Sequence, residues 1–472
     1  MTRTHPAAEA GTGDARWSPR LWGLLLVLAG NMLIDALEVS VAVVALPSIG
    51  TGLGLPLTGV HWAMTGFAVG FGGLLLFGAR VVGLLGRRRV YLAALLAFAA
   101  ASALSALAQE PALLVATRLV KGFCAALTAP TGLAIIATAF PQGPPRDRAV
   151  SVYALFGAGG FTAGLLLSGW LTEISWRLSF AFPAPVVLIL FALGLKLIPD
   201  EERTAAGATP RRYDLAGAVT FTAALLALVH GIGAVPAHGW TGAGAAVPLT
   251  AAVLLLVAFA VVERTTPDPL VKPLRDAALI RSALGAACLN GSYLGLLFVL
   301  TYQMQTVAGW SPSTAALALV PAAAPPALTA LASGRLVARF GAPRLIVAGA
   351  ACAFAGYLLQ LGPAGPLDYP ARLLPTLLLA GAAFVLSFAA LNMQATSGLG
   401  PADRAAASGQ YQTAVQLAAA LAVAAVAALL ASTAAPGATV AEAVEACRPA
   451  LILVAALGGL GILVGLTGLG RR

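Results

Sequence analysis

Apolar residues run along this chain in stretches of about 20, each long enough to cross a hydrocarbon core as a helix, and short polar or Gly/Pro-containing breaks separate them. The pattern predicts fourteen helices, over 21–45, 60–84, 90–108, 112–139, 150–172, 179–198, 214–235, 244–263, 281–307, 313–338, 344–362, 372–396, 406–432 and 448–469. The run from Leu21 continues to Pro47 with no small-residue cleavage site leading into a polar domain, so it reads as a first span and not as a removed signal. Two connections are longer and more charged: Pro199–Tyr213 ("PDEERTAAGATPRRY") and Arg264–Ile280 ("RTTPDPLVKPLRDAALI"). They bracket two helices with few polar residues. The chain thus divides into a tail (1–20), a six-helix unit (21–198), a loop (199–213), an inserted helix pair (214–263), a second loop (264–280) and a second six-helix unit (281–472).

Composition agrees. The chain is 59% hydrophobic and 10% charged, against roughly 25% charged in soluble domains. A net charge of +10 invites a nucleic-acid reading, but the basic residues sit in short inter-span loops and form no patch or arm. In a membrane protein that distribution reports orientation. With the N-terminus cytoplasmic, all but six of the 28 Lys and Arg fall on the cytoplasmic side; Arg177, Arg372 and Arg448 are external, and Arg80, Arg118 and Lys121 lie within spans. Both termini are therefore expected in the cytoplasm, and the protein in the cell (cytoplasmic) membrane.

An internal repeat supports the division. "ARVVGLLGRRR" (Ala79–Arg89) aligns with "GRLVARFGAPR" (Gly334–Arg344): Arg80 matches Arg335, Val82 Val337, Gly86 Gly341 and Arg89 Arg344. Both segments end the second helix of a six-helix unit on the cytoplasmic side, and duplicated halves are a common transporter plan.

Several chemistries are absent from the sequence. The four cysteines, Cys124, Cys288, Cys352 and Cys447, form no CxxC pair, and the four histidines are dispersed. No zinc or iron ligand set, P-loop, GxSxG elbow or dinucleotide fingerprint is found. No enzyme activity or cofactor is expected, and without an ATP-binding module uphill work would draw on an ion gradient.

Against this apolar background the intramembrane charges stand out. Asn31, Asp35 and Glu38 are spaced by four and three, so they share a face of the first helix. A charge at a helix centre costs roughly 3 kcal/mol on insertion scales, so such acids usually face a cavity or a partner. A protonatable carboxylate there suits a proton-coupled carrier; a structural salt bridge is the competing reading. Arg118 and Lys121, three apart in the fourth helix, are the expected partners, with Thr128 further along. Two acids and two bases would sum to zero, and proton binding would loosen the pairing between helices. Candidate cavity residues are Asn31, Asn290, Tyr293, Tyr302, Gln303, Gln305, Asn392, Gln412 and Gln416; polar groups of this kind also bond across packed helices. A mostly apolar cavity with few polar anchors suits lipophilic, often cationic solutes. In "GAGGFTAGLLLSGW" the spacing Gly160-xxx-Gly164 allows helix backbones to approach closely.

Taken in order, these segments resemble the major facilitator superfamily, in its fourteen-span drug:proton antiporter branch (EmrB/QacA type), over nearly the whole chain. "LEVSVAVVALP" is similar to the family's first-span acid and "TIVNVALP"-like run, which places Glu38 at the membrane acid and leaves Asp35 additional. The loop signature G-x-x-x-D-R-x-G-R-R matches Ala79–Arg88 at Gly86, Arg87 and Arg88; R-x-x-Q-G matches "RLVKG"; and the fifth-helix G-x-x-x-G-P-x-x-G-G matches "GFTAGLLLSG", Gly160 to Gly169. Smaller echoes are "SWR", "YDLAG", "HGW" and "GWSPSTAALALVP". The chain departs at Gly83 (family Asp), Ala79 (Gly), Lys121 (Gln), Leu165 (Pro) and Ser168 (Gly).

The resemblance implies an all-α integral membrane protein with two six-helix bundles plus two extra helices, rocking around a central cavity. It implies proton-driven export of a small amphipathic or lipophilic compound, with protons and lipid as further partners. Glu38 would carry the proton, Asp35 would be a second carrier or a sensor of substrate charge, and Arg118, with Lys121 close by, would tune the site. Arg80, Gly83, Gly86, Arg87, Arg88, Gly160, Gly164, Gly169, Gly334, Arg335, Arg339 and Gly341 would form the conformational gates. The altered signatures leave two alternatives: an uncoupled or import-type facilitator, and a transport-inactive sensor or partner.

Overall fold

The computed structural model describes residues 17–200, 213–272, 274, 276–362, 365, 367–433 and 437–469; most of the expected tail and of the 199–213 loop lies outside the described residues. Among these residues there is no strand, and fourteen helices are long and apolar enough to span a membrane. They are α1 (Pro19–Leu53), α2 (Leu57–Leu85, interrupted at His61), α3 (Arg87–Ala106), α4 (Pro111–Ala139), α5 (Pro144–Ile174), α6 (Trp176–Leu197), α7 (Leu215–His238), α8 (Ala243–Thr265), α9 (Ala277–Val307), α10 (Pro312–Phe340), α11 (Ala342–Gln360), α12 (Tyr369–Ala395), α13 (Asp403–Thr433) and α14 (Val440–Leu466). With an even number of spans, the two ends of the bundle lie on one face.

Local chemistry sets many boundaries. Ser18 caps α1 by accepting from the Leu21 amide at 3.3 Å, with Pro19 following at the first helical position. Asp276 caps α9 in the same way through Leu279, at 2.7 Å. Several helices outrun the apolar stretches that predict them. α1 continues eight residues past 45, through Pro47, whose missing N–H leaves one bond of the ladder unmade. Beside that break Gln305 of α9 donates to the Val44 carbonyl at 3.0 Å. α14 gains a first segment, Val440–Ala446, from a Thr439/Glu442 capping box.

The packing repeats. In the first half α1 packs on α5 and α6, α2 on α4, and α3 on α4 and α6; in the second, α9 packs on α13 and α14, α10 on α12, and α11 on α12 and α14. Backbone geometry gives the same register. Gly54, Gly86 and Gly143 have positive φ (62°, 87°, 92°), and so do Gly309, Gly341 and Gly398 (69°, 79°, 81°). Each pair is 255 residues apart, the offset of the Arg80/Arg335 repeat. These corners need glycine because L side chains avoid that region. The halves meet reciprocally, α2 on α13 and α5 on α10. Of the inserted pair, α7 lies against α2 and α13, and α8 packs on α7.

Candidate functional site

Close backbone approach builds the site. A Cβ on Gly122 of α4 would stand 2.2 Å from the Phe67 carbonyl, and one on Gly70 of α2 would stand 2.3 Å from the Leu119 carbonyl. With glycine at both positions, α2 and α4 touch and Arg118 reaches across. Its Nε donates to the Ala63 carbonyl of α2 at 2.6 Å. Its guanidinium also donates to the Glu38 carboxylate, and to the Glu38 backbone carbonyl at 3.0 Å. The Lys121 ammonium lies 2.5 Å from the other Glu38 oxygen, an ionic contact outside hydrogen-bond geometry. All three side chains are 0% exposed. One carboxylate thus gathers both bases and ties α1 to α2 and α4.

Asp35, three residues earlier, is treated differently. Its Oδ2 accepts from Asn31 Nδ2 and Thr128 Oγ1, both at 2.9 Å, and its buried Oδ1 accepts no hydrogen bond from the protein. No ion pair involves it among the described residues. The expected quartet is therefore a triad on Glu38 beside a carboxylate held by neutral donors. Asn31, expected in a cavity wall, is bound to Asp35.

Three rings that sequence reasoning missed complete the environment: Phe67 of α2, Phe98 of α3 and Phe180 of α6, all buried and facing the two cations. Nothing marks them among 18 phenylalanines in an apolar chain.

Between the halves, next to this cluster, lies a small void lined by Val39, Thr65 and Phe67 on one side and Leu294, Gln416 and Val423 on the other. Of the cavity candidates, Gln416 lines it. Gln412, one turn away, is half-buried, as are Asn392 and Tyr302. Asn290 is spent on its own helix, donating to the Ala286 carbonyl at 3.0 Å, and Gln305 stitches α9 to α1. Gln303 is buried in the widened last turn of α9. Tyr293 is buried between Phe384 of α12 (4.4 Å) and Phe161 of α5 (6.0 Å), a contact between the halves.

The gate candidates fall into three groups. Gly160 and Gly164 seat α5 on α1: a Cβ would come within 2.4 Å of the Leu33 carbonyl or 2.2 Å of Ser40 Oγ. Gly169 seats α5 on α10, 2.5 Å from Ala316, and nearby Glu173 accepts from Ser313 of α10. On the face carrying the ends of the bundle, the α8–α9 connection forms a strap. Glu263 accepts from the Leu270 and Val271 amides at 3.0 and 2.8 Å, shaping the segment. Arg80 at the end of α2 donates to the Pro269 carbonyl at 2.5 Å and lies 3.6 Å from Asp268. Lys272 pairs with Asp403 of α13, and Gln410 donates to the Lys272 carbonyl at 2.6 Å. Position 83 carries glycine, and the acid beside Arg80 is Asp268 of the strap. Gly83 and Gly334 have open space around a notional Cβ, whereas Gly86 and Gly341 make the positive-φ corners. Arg88 donates to the Leu195 carbonyl at 2.7 Å and pairs with Asp200, and Arg87 is also partnered. Arg335 is exposed, and Arg339 lies over Phe340 at 5.3 Å.

Residues 28–423 match the sequence model of the Major Facilitator Superfamily. The chain is 35% identical over 424 residues to the puromycin resistance protein of Streptomyces alboniger, covering 89% of this chain and 82% of that protein. It is 34% identical over 434 residues to the cephamycin export protein of Amycolatopsis lactamdurans (90% and 87%). It is 32% identical over 435 residues to the lincomycin resistance protein of Streptomyces lincolnensis (89% and 86%). Among solved structures, a bacterial homologue of the human lysosomal transporter Spinster, inward-facing and unoccupied, superposes with a TM-score of 0.67 at 16% identity, over 96% of this chain and 97% of that one. The peptide transporter POT in complex with sulfate gives 0.64 at 16% identity, over 96% and 94%. At that identity the likeness shows the fold.

Proposed function

This chain belongs to the major facilitator superfamily, and from that premise we propose that it exports a small amphipathic compound of the antibiotic class in exchange for protons, by alternating access. Curated relatives named for puromycin, cephamycin and lincomycin support the substrate class. The observation that carries the coupling is Glu38: a fully buried carboxylate whose two oxygens face Arg118 and Lys121 and, through them, link α1 to α4. A proton on Glu38 removes the charge both bases bind, so the tie of α1 to the α2–α4 pair is weakened, leaving the Arg118 bond to the Glu38 carbonyl and the Thr128 bond to Asp35, while the site gains net positive charge. Electrostatics of that kind can bias a two-state packing. Asp35, held by neutral donors with one oxygen free, is the second carboxylate and senses the charge of the substrate. The central void beside Gln416 expands into the substrate cavity as the halves rock about the α2–α13 and α5–α10 contacts. Both ends of the bundle face the cytoplasm, where all but six of the basic residues then lie.

Everted vesicles carrying the wild type, Glu38→Gln or Asp35→Asn test this. After energisation, puromycin, a cephamycin or lincomycin is added while a pH-sensitive dye reports luminal acidity. The wild type is expected to release protons on addition of at least one compound. Glu38→Gln is expected to release none, and Asp35→Asn to respond less to a basic compound such as puromycin than to an acidic one such as the cephamycin. Substrate movement without proton release would favour the facilitator reading, for which Leu165 in place of the fifth-helix proline is the specific support.

A further inference from the structure

The cluster around Glu38 is electrically unbalanced where it is most deeply buried. One carboxylate faces two cations, and Asp35 is bonded to Asn31 and Thr128 and not to either base. When Glu38 takes up a proton, both positive charges remain in a site that excludes water. A buried ion without compensation is strongly unfavourable. Arg118 keeps its bonds to the Ala63 and Glu38 carbonyls, and the side chains that face the two cations besides Glu38 are aromatic. Arg118 Cζ lies 4.9 Å from the Phe67 centroid and 5.5 Å from that of Phe180; Lys121 Nζ lies 5.1 Å from Phe98 and 5.6 Å from Phe180. Each distance is inside the range in which a ring face attracts a cation, and the attraction grows when the pair is desolvated. Phe180 is the ring shared by both, and Trp176 holds it edge-on at 5.9 Å.

The second half supplies a comparison. At the offset of 255, Arg118 and Lys121 correspond to Leu373 and Thr376, Phe67 to Ala322, and Phe98 to Ala353. Where the cations are absent, the rings matching Phe67 and Phe98 are absent too.

We propose that Phe180 is a positioning residue: its ring, shared by Arg118 and Lys121, keeps the two cations in place while Glu38 is neutral. The inference rests on the proton-coupled reading for its role in the cycle, and on geometry alone for the contact itself. A ring suits the task because it carries no proton and no net charge. A second carboxylate at that place would hold the bases permanently, and an aliphatic side chain would offer them nothing.

The test uses Phe180→Leu, Phe180→Trp and phenylalanines of increasing fluorination at position 180, which flatten the ring's quadrupole with little change of shape. Each is placed in the wild-type and the Glu38→Gln background, and the purified full-length protein is melted in detergent. Phe180→Leu is expected to lower the melting temperature more in Glu38→Gln than in the wild type, a coupling that a double-mutant cycle isolates. The drop should grow with each fluorine, and Phe180→Trp should retain most of the stability. Equal drops in both backgrounds, or no gradation with fluorine, would overturn the proposal. This readout needs no transport, so it decides the contact even if no compound drives proton release from wild-type vesicles, an outcome that would sink the coupling reading instead. Where release is seen, Phe180→Leu should reduce it several-fold and Phe180→Trp restore most of it; unchanged release with Phe180→Leu would also overturn the proposed role.

Discussion

At the offset of 255 that relates the glycine corners, Asp35 of α1 corresponds to Asn290 of α9, and Glu38 to Tyr293. Arg118 and Lys121 of α4 correspond to Leu373 and Thr376 of α12. The helices around these positions pack in the same order in both halves. In the first half they enclose ions. In the second they enclose a tyrosine between rings and a threonine that donates to the Gly356 carbonyl at 2.9 Å. A bundle of this design therefore assembles without buried charge, which weighs against the charges serving only to hold helices together. Desolvating three ions costs several kcal/mol per ion in real proteins, and the neutral half shows that the packing does not demand it.

The sharpest way to break that comparison is to remove one ion and the neutral group that matches another. Arg118→Leu leaves Lys121 alone with Glu38 and strips the Ala63 and Glu38 carbonyls of a donor. It is expected to cost about 3–5 kcal/mol, the usual penalty for breaking a buried pair. Tyr293→Phe, at the position matching Glu38, keeps the ring contacts and should cost under about 1 kcal/mol. Unfolding of both purified variants measures the difference; equal losses would mean that the charged half is no more finely balanced than the neutral one.

How much of this was legible in the chain depends on which force set each feature. The fourteen spans were legible because hydrocarbon thickness fixes their length and lipid forbids exposed backbone. The triad was partly legible, since charges in a span are costly enough to need partners, and spacing put the acids on one face and the bases on another. Which acid receives the bases was not legible. Asp35 and Glu38 lie less than one turn apart on one face, so spacing alone does not separate them; the structure sets Glu38 against Arg118 and Lys121, and Asp35 against Thr128. Phe67, Phe98 and Phe180 come from three helices and have no common pattern. Asn290 and Gln305 read as cavity residues, but a polar side chain in a span satisfies a nearby carbonyl when one is in reach.

Backbone approach gives a second, smaller contrast. α5 presents Gly160 and Gly164 to α1, whereas in the matching α9–α13 contact the glycines are on α9, and a Cβ on Gly291 would stand 3.2 Å from the Ala418 carbonyl. Gly160→Ala drives a methyl to 2.4 Å from the Leu33 carbonyl, so α5 must move away; about 1–3 kcal/mol of destabilisation is expected. Gly291→Ala asks its neighbours to give a few tenths of an ångström and should be close to neutral. Melting temperatures in detergent, read side by side, would refute the contrast if Gly291→Ala were the more damaging.

The corners differ least in shape and most in company. Arg80 is buried under the strap with Asp268, while Arg335, its counterpart, is exposed. Asp268 is half exposed, so the pair should contribute only about 0.2–1 kcal/mol. Its interest lies in geometry, because the strap also grips Asp403 and Gln410 and so spans both halves at one mouth. Arg80→Asp and Asp268→Arg should each slow transport in vesicles by a few-fold with insertion unchanged, and the double exchange should recover much of the rate. Arg335→Asp should leave it unchanged. Recovery by the exchange would place the gate's missing acid in the strap, since reversal restores attraction only if the two side chains meet during the cycle. A double variant slower than either single one would instead assign Arg80 to its bond with the Pro269 carbonyl, which no charge reversal can rebuild.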